Sequence, residues 1–206
     1  MLKINIKTSL EGLTYFKNKL NKKTDIDVII KDSNNLKNKI IKQYNNKKIF
    51  LYSKLNNFFG DFNENIIIEV YPEYFYLGAI NTSNGVIVLG QPSFCNNYYI
   101  GLIGHEISHF LLKKHNLNRF IEEIICFCIE KQIIEELDGI DTIDFIYYKN
   151  IDSFHLDAIL YSHKYYSEFK KLDLGEFISF LDNNLPDKFK NIDISKNLIA
   201  YLKENG

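Results

Sequence analysis

Two histidines four residues apart, His105 and His109, bracket an acid in the run His105-Glu106-Ile107-Ser108-His109. If this segment is helical, positions i and i+4 lie one above the other on a single face. Both imidazoles can then reach one zinc ion while Glu106 stands beside them. A carboxylate so placed can take a proton from a zinc-bound water, and that is the geometry of hydrolysis. The neighbours Leu102, Ile103, Ile107, Phe110, Leu111 and Leu112 are apolar, as a buried helix carrying such a site requires.

Catalytic zinc usually takes three protein ligands and keeps a fourth position open, so a third ligand must come from elsewhere in the chain. Residues 115–118 are polar and include two asparagines, and helical spacing resumes after them. The pattern predicts an antiparallel helix pair that turns near Asn116. Counting roughly six residues from His109 up to the turn and a similar number back down lands on Glu122 or Glu123. Glu123 is favoured, because Cys126 three residues later is small and lets the helices approach closely over a metal; Glu122 is the alternative. Ile121, Ile124, Ile125 and Ile129 surround the two acids so densely that at least one needs a partner inside the fold.

The elements that must position these residues fall into two halves. Leu2, Ile4 and Ile6 alternate as in a half-buried strand, and Thr8 or Ser9 can cap a helix carrying Leu13, Phe16 and Leu20. A second short strand is predicted over 25–30. Ser33 then caps a longer helix with Leu36, Ile40, Tyr44, Leu51, Leu55 and Phe58 on one side, ended by Gly60. Strands follow over 66–71, 74–80 and 86–89, the last two joined by hairpin chemistry at 81–85. From about Tyr98 onward every periodicity is helical: 98–114, 119–137, 154–169, 174–182 and 194–203. No linker or repeat divides the halves, which predicts a shared cleft.

At 206 residues, with 46% hydrophobic and 25% charged, the chain can bury a sizeable core as one unit. Twenty-five basic against 26 acidic residues carry no electrostatic footprint of a nucleic-acid or membrane-surface partner. No apolar run approaches the roughly 20 residues that span a bilayer, and the alternating N-terminus reads as a strand and not a signal peptide, so the expected compartment is the cytoplasm. Three cysteines make no disulfide framework. Cys126 and Cys128, two apart on a helix, point in different directions and are read as packing residues. The lone arginine, Arg119, is read with the abundance of Lys, Asn and Ile as a mark of AT-rich coding and not of chemistry.

On these residues the chain resembles the gluzincins, zinc metallopeptidases that combine H-E-x-x-H with a downstream glutamate. Glu123-Ile-Ile-Cys126 is similar to the family's E-x-x-small pattern at the third ligand. Leu77-Gly78-Ala79-Ile80-Asn81 is similar to the G-A-M-E-N segment of the aminopeptidase members, an edge strand along which substrate is laid. Asn81 replaces the Glu that grips a substrate amino terminus, so aminopeptidase specificity is not implied. Phe127 stands where thermolysin-like members carry an Asp that orients a zinc histidine, and the short interval from His109 to Glu123 looks more like the compact minigluzincins. The likeness spans residues 66–160.

The resemblance implies an α+β zincin-like fold: a mixed β-sheet with helices in the N-terminal half, an active-site H-E-x-x-H helix, and an all-helical C-terminal half. An upper sheet-and-helix subdomain, 1–116, and a helical lower one, 117–206, would enclose one Zn²⁺ held by His105, His109 and Glu123. Glu106 would be the general base. His155, at a helix start behind Asp152 and Ser153, resembles the family's oxyanion donor, with Tyr161 and His163 as reserves; His115 is left structural. Gly78 and Ala79 would receive an extended peptide or protein substrate. The expected activity is zinc-dependent peptide-bond hydrolysis. The alternative is a catalytically inactive zincin-fold binding protein. The sequence leaves the oligomeric state open.

Overall fold

The computed structural model describes residues 2–75, 78–81, 86–90, 93–144 and 152–190. Its first strand, β1 (Lys3–Lys7), turns Ile4 and Ile6 inward and pairs in parallel with β2 (Asn65–Val70), Ile4 opposite Ile66 and Ile6 opposite Ile68. Two helices make the crossover between them. The first, α1 (Leu10–Lys19), starts at Ser9, whose hydroxyl accepts from the Gly12 amide. The second, α2 (Ile26–Phe59), is 34 residues long and buries Leu36, Ile40, Leu51 and Leu55.

The strand expected over 25–30 is not formed. Asp25 accepts from the Asp27 amide and starts α2 there, so these residues are its first turns. Ile26, Val28 and Ile30 alternate, but Ile29 is fully buried while Val28 is 47% exposed, and that is the helical face. Ser33 is not a cap. It lies inside α2 and donates a buried hydrogen bond to the Val70 carbonyl at the end of β2.

After β2 the chain makes a 3-10 turn at Glu73–Phe75, so the strand expected from 74 begins later, as β3 (Gly78–Asn81). It pairs antiparallel with β4 (Val86–Gly90), and β4 pairs in parallel with β2. The sheet order is β1-β2-β4-β3, which leaves β3 as an edge among the described residues. The turn expected within 82–85 lies outside them.

The remainder is helical: α3 (Tyr98–Leu112), α4 (Arg119–Asp138), α5 (Ser153–Lys164), α6 (Tyr166–Phe169), α7 (Leu174–Asn184) and α8 (Asp187–Lys190). The single helix expected over 154–169 is broken at Tyr165, where φ −104° and ψ 11° leave the helical region. The helix expected over 194–203 lies outside the described residues. The fold is thus mixed α and β, mostly helical. One large core runs from the sheet through α2, α3 and α4 to Phe177 and Leu181 of α7, and a smaller one joins Leu13, Ile29, Tyr71 and Phe75. Among the described residues, no helix is long and apolar enough to cross a membrane.

Candidate metal centre

The close contact between α3 and α4 is written into two glycines. A Cβ at Gly104 would stand 2.3 Å from Ile133 Cδ1, and one at Gly101 would stand 2.7 Å from Ile134 Cγ1, so α4 packs where α3 has no side chain. The chain reverses between the helices through a 3-10 turn at Lys113–His115 and a left-handed Asn116 (φ 48°), then restarts at Asn118, whose side chain accepts from the Phe120 amide. The reversal is where the polar stretch 115–118 places it. At the far end Asp138 accepts from both the backbone and side-chain amides of Asn97, tying the end of α4 to the start of α3.

Pressed together in this way, the helices bring His105, His109 and Glu123 to one point. The two Nε2 atoms are 3.3 Å apart. Glu123 Oε2 lies 3.4 Å from that of His105 and 3.6 Å from that of His109. This oxygen is buried and accepts no aligned hydrogen bond. On the opposite ring edge of His109, Nδ1 is 2.6 Å from Glu122 Oε1. Arg119 Nη1 lies 3.0 Å from the same Nδ1, but the shorter Glu122 contact favours a proton there, which leaves the lone pair of Nε2 facing Glu123 and His105. Two ring nitrogens and a carboxylate oxygen then confront one another in a buried space, where a proton on His105 relieves their repulsion and a shared cation would do so in its place. Three corners of a tetrahedron around an ion bound at about 2.0–2.1 Å lie about 3.3–3.4 Å apart. The observed spacings fit.

Cys126 completes a buried group with His105 and His109, their ligand atoms all within 4.8 Å of one another, which is close enough to bind a metal ion. Its Sγ approaches Nδ1 of His109 at 3.4 Å. Burial, reinforced by Glu123 and Glu122, pushes its thiol well above the ordinary range. Cys128 points elsewhere, towards the Ser162 carbonyl at 3.6 Å, as a two-residue offset on a helix demands.

Carboxylates support the imidazoles from behind. Glu122 does so for His109, and Glu130 Oε2 lies 3.1 Å from His105 Nδ1, within ion-pair reach though poorly aligned for a hydrogen bond. The ring of Phe127 meets His105 edge to face at 4.6 Å. Burial alone would lower the pKa of His105, but Glu123 and Glu130 outweigh it and raise it to about 10. Burial raises Glu106, and the two imidazoles and Arg119 offset only part of the rise. Glu123 is the reverse: burial opposes its charge, yet the imidazoles and Arg119 hold it well below the usual carboxylate range.

Two side chains reach this centre from the more open side. Arg119 places Nη1 2.8 Å from Glu122 Oε1 and Nη2 2.7 Å from Glu123 Oε1. The chain's one arginine therefore belongs to the cluster, and the compositional reading of it is corrected. His155, its side chain 42% exposed, places Nε2 3.7 Å from Glu123 Oε1. Asp152 sets it, accepting from the His155 amide through Oδ1 at 3.0 Å and meeting Nδ1 through Oδ2 at 2.7 Å. Burial would lower the pKa of His155, but Glu123 and Asp152 raise it.

Of the other candidates, His163 meets Thr142 and Asp141, Tyr161 packs on Phe120 and Phe189, and His115 is exposed in the turn. Gly78 and Ala79 lie in β3, which packs against α3. Arg119, Glu130 and Asp152 join the centre without any signal in the motif, and Cys126, expected only to pack, stands within ligand reach of both histidines. No family model, curated protein or solved structure matches this chain.

Proposed function

We propose that the chain is a zinc-dependent peptidase of zincin-like architecture, hydrolysing peptide bonds. The observation that carries the reading is the convergence of His105 Nε2, His109 Nε2 and Glu123 Oε2 at 3.3–3.6 Å with Glu106 buried beside them. Two imidazoles and a carboxylate are a donor set suited to zinc, and such a set leaves a fourth position for reactants. Glu123 is preferred to Cys126 as third ligand. The thiol meets the Nδ1 edge of His109, whereas the carboxylate meets the Nε2 edge shared with His105.

A zinc ion held there would supply Lewis-acid polarisation of water and of the scissile carbonyl. The rest falls to the chain's own residues. Glu106, with its pKa raised by burial, takes the proton of the attacking water and returns it to the leaving amine. His155 meets Asp152 through Nδ1 and faces Glu123 Oε1 through Nε2 at 3.7 Å, and turning Nε2–H from that carboxylate would offer it to the developing oxyanion. Glu122 and Glu130 hold the two ligand imidazoles in orientation. An extended peptide would add to β3 at Gly78 and Ala79, an edge among the described residues that packs against α3.

The test is elemental analysis of purified protein followed by a peptide-library digest. One zinc per chain and cleavage abolished by chelation support the reading. Zinc without cleavage of any peptide would leave a zincin-shaped binding protein, and no metal would remove the basis for both.

A further inference from the structure

The guanidinium of Arg119 is placed to decide how Glu123 presents itself. Its two terminal nitrogens divide between neighbouring acids, Nη1 on Glu122 Oε1 at 2.8 Å and, at 3.0 Å, beside His109 Nδ1, and Nη2 on Glu123 Oε1 at 2.7 Å. Spacings of three and four residues on α4 bring both acids under one fork. Glu123 Oε1 is thereby occupied, with His155 Nε2 3.7 Å away on the same oxygen, while Oε2 is left to the two imidazoles. Glu122 in turn carries Nδ1 of His109. One side chain thus ties the proposed third ligand to the acid that orients the second. Of 25 basic residues it alone is arginine, and a lysine ammonium in its place would supply charge without two fixed, diverging donors.

We propose that Arg119 is a positioning residue that holds Glu123 to one-oxygen ligation and so keeps the fourth coordination position clear for reactants. This rests on the zinc reading above. Without the fork, Glu123 Oε1 is released, and the carboxylate can turn both oxygens towards the ion, adding a fifth donor that crowds the position chemistry needs.

The experiment compares wild type with Arg119→Lys and Arg119→Gln, each stripped with chelator and titrated with zinc against a chromophoric competitor, then loaded with cobalt(II) for visible absorption. The wild type should bind one equivalent and give the intense bands of four-coordinate cobalt. Both variants should bind about 10-fold to 100-fold more weakly, the scale of loss for residues behind the ligands. Their bands should also weaken, as five-coordinate cobalt absorbs less. Arg119→Lys should recover part of the affinity but not the spectrum. Wild-type affinity and spectrum in both variants would overturn the proposal while leaving the zinc reading intact. Loss of folding by circular dichroism in both would make Arg119 a structural tie and overturn it as well. A wild type that binds no metal would sink the zinc reading and this proposal with it.

Discussion

Glu122 and Glu123, neighbours in the chain, address opposite edges of one imidazole: Glu122 Oε1 lies 2.6 Å from His109 Nδ1, and Glu123 Oε2 lies 3.6 Å from His109 Nε2. On a helix, consecutive residues diverge by about 100°, enough to send two identical side chains to different tasks. Glu123→Ala should therefore abolish stoichiometric zinc. Glu122→Gln should keep it, weakened about 10-fold to 100-fold, since only the support of a ligand is lost. Zinc content after dialysis and a competition titration separate the two, and the opposite ranking would exchange their roles.

Glu106→Gln keeps the shape of the side chain and removes the proton acceptor. Zinc should be retained and peptide cleavage should fall by about 10²-fold to 10⁴-fold. His155→Phe should also keep zinc, with a loss of about 10²-fold to 10³-fold for one oxyanion donor. Initial rates on a cleaved library peptide measure both. Undiminished cleavage by the Glu106 variant would end the proposed mechanism.

Gly104 sets the separation of α3 and α4 through its contact with the Cδ1 methyl of Ile133. Gly104→Ala gains helix propensity of about 1 kcal/mol, but forces that methyl aside in a closed core. We expect a net destabilisation of about 1–3 kcal/mol, the range for overpacking. Ile133→Val deletes the offending methyl, so Gly104→Ala with Ile133→Val should be more stable than the two separate costs predict. Urea denaturation of the four proteins forms the cycle, and strict additivity would disprove the contact.

His163 is held below its ordinary pKa, by burial first and by Lys131 second, with Asp141 opposing. Below its unfolded value of about 6.5 the unfolded chain binds more protons at this site than the folded one, so stability falls as pH drops through that window. Asp141 is held low despite burial, chiefly by Lys131 at 2.5 Å. Its contribution is therefore present above the unfolded carboxylate value and is lost only as pH falls through the folded one. His163→Gln should flatten the decline in melting temperature between about pH 7.5 and 5.5, and Asp141→Asn should lower the melting temperature at both. An unchanged slope in the His163 variant would refute the first assignment.

The helix pair was the most legible part of the sequence, because two histidines at i and i+4 fix a face and the polar break at 115–118 fixes the reversal. The rest of the ligand shell was equally periodic and less conspicuous. Arg119, Glu123, Cys126 and Glu130 follow one another at i, i+4, i+7 and i+11, a single stripe of α4 facing α3. By composition Arg119 reads as a trait of the coding sequence and Glu130 as one more helix charge, although both stand on the stripe that carries Glu123. The start of α2 is ambiguous for a different reason. Ile26, Val28, Ile29 and Ile30 satisfy alternation and helical spacing at once, and only the burial of Ile29 with Leu13, Tyr71 and Phe75 separates the two.

Asp152 holds the start of α5 with one oxygen and His155 with the other. The first turn of a helix is a place where native chains open locally at small cost, and here such an opening withdraws the imidazole from the centre. By reciprocity, whatever engages His155 must also quiet that turn. Amide hydrogen exchange over the first residues of α5 should therefore slow when an inhibitor is bound, although no inhibitor atom need touch the backbone there.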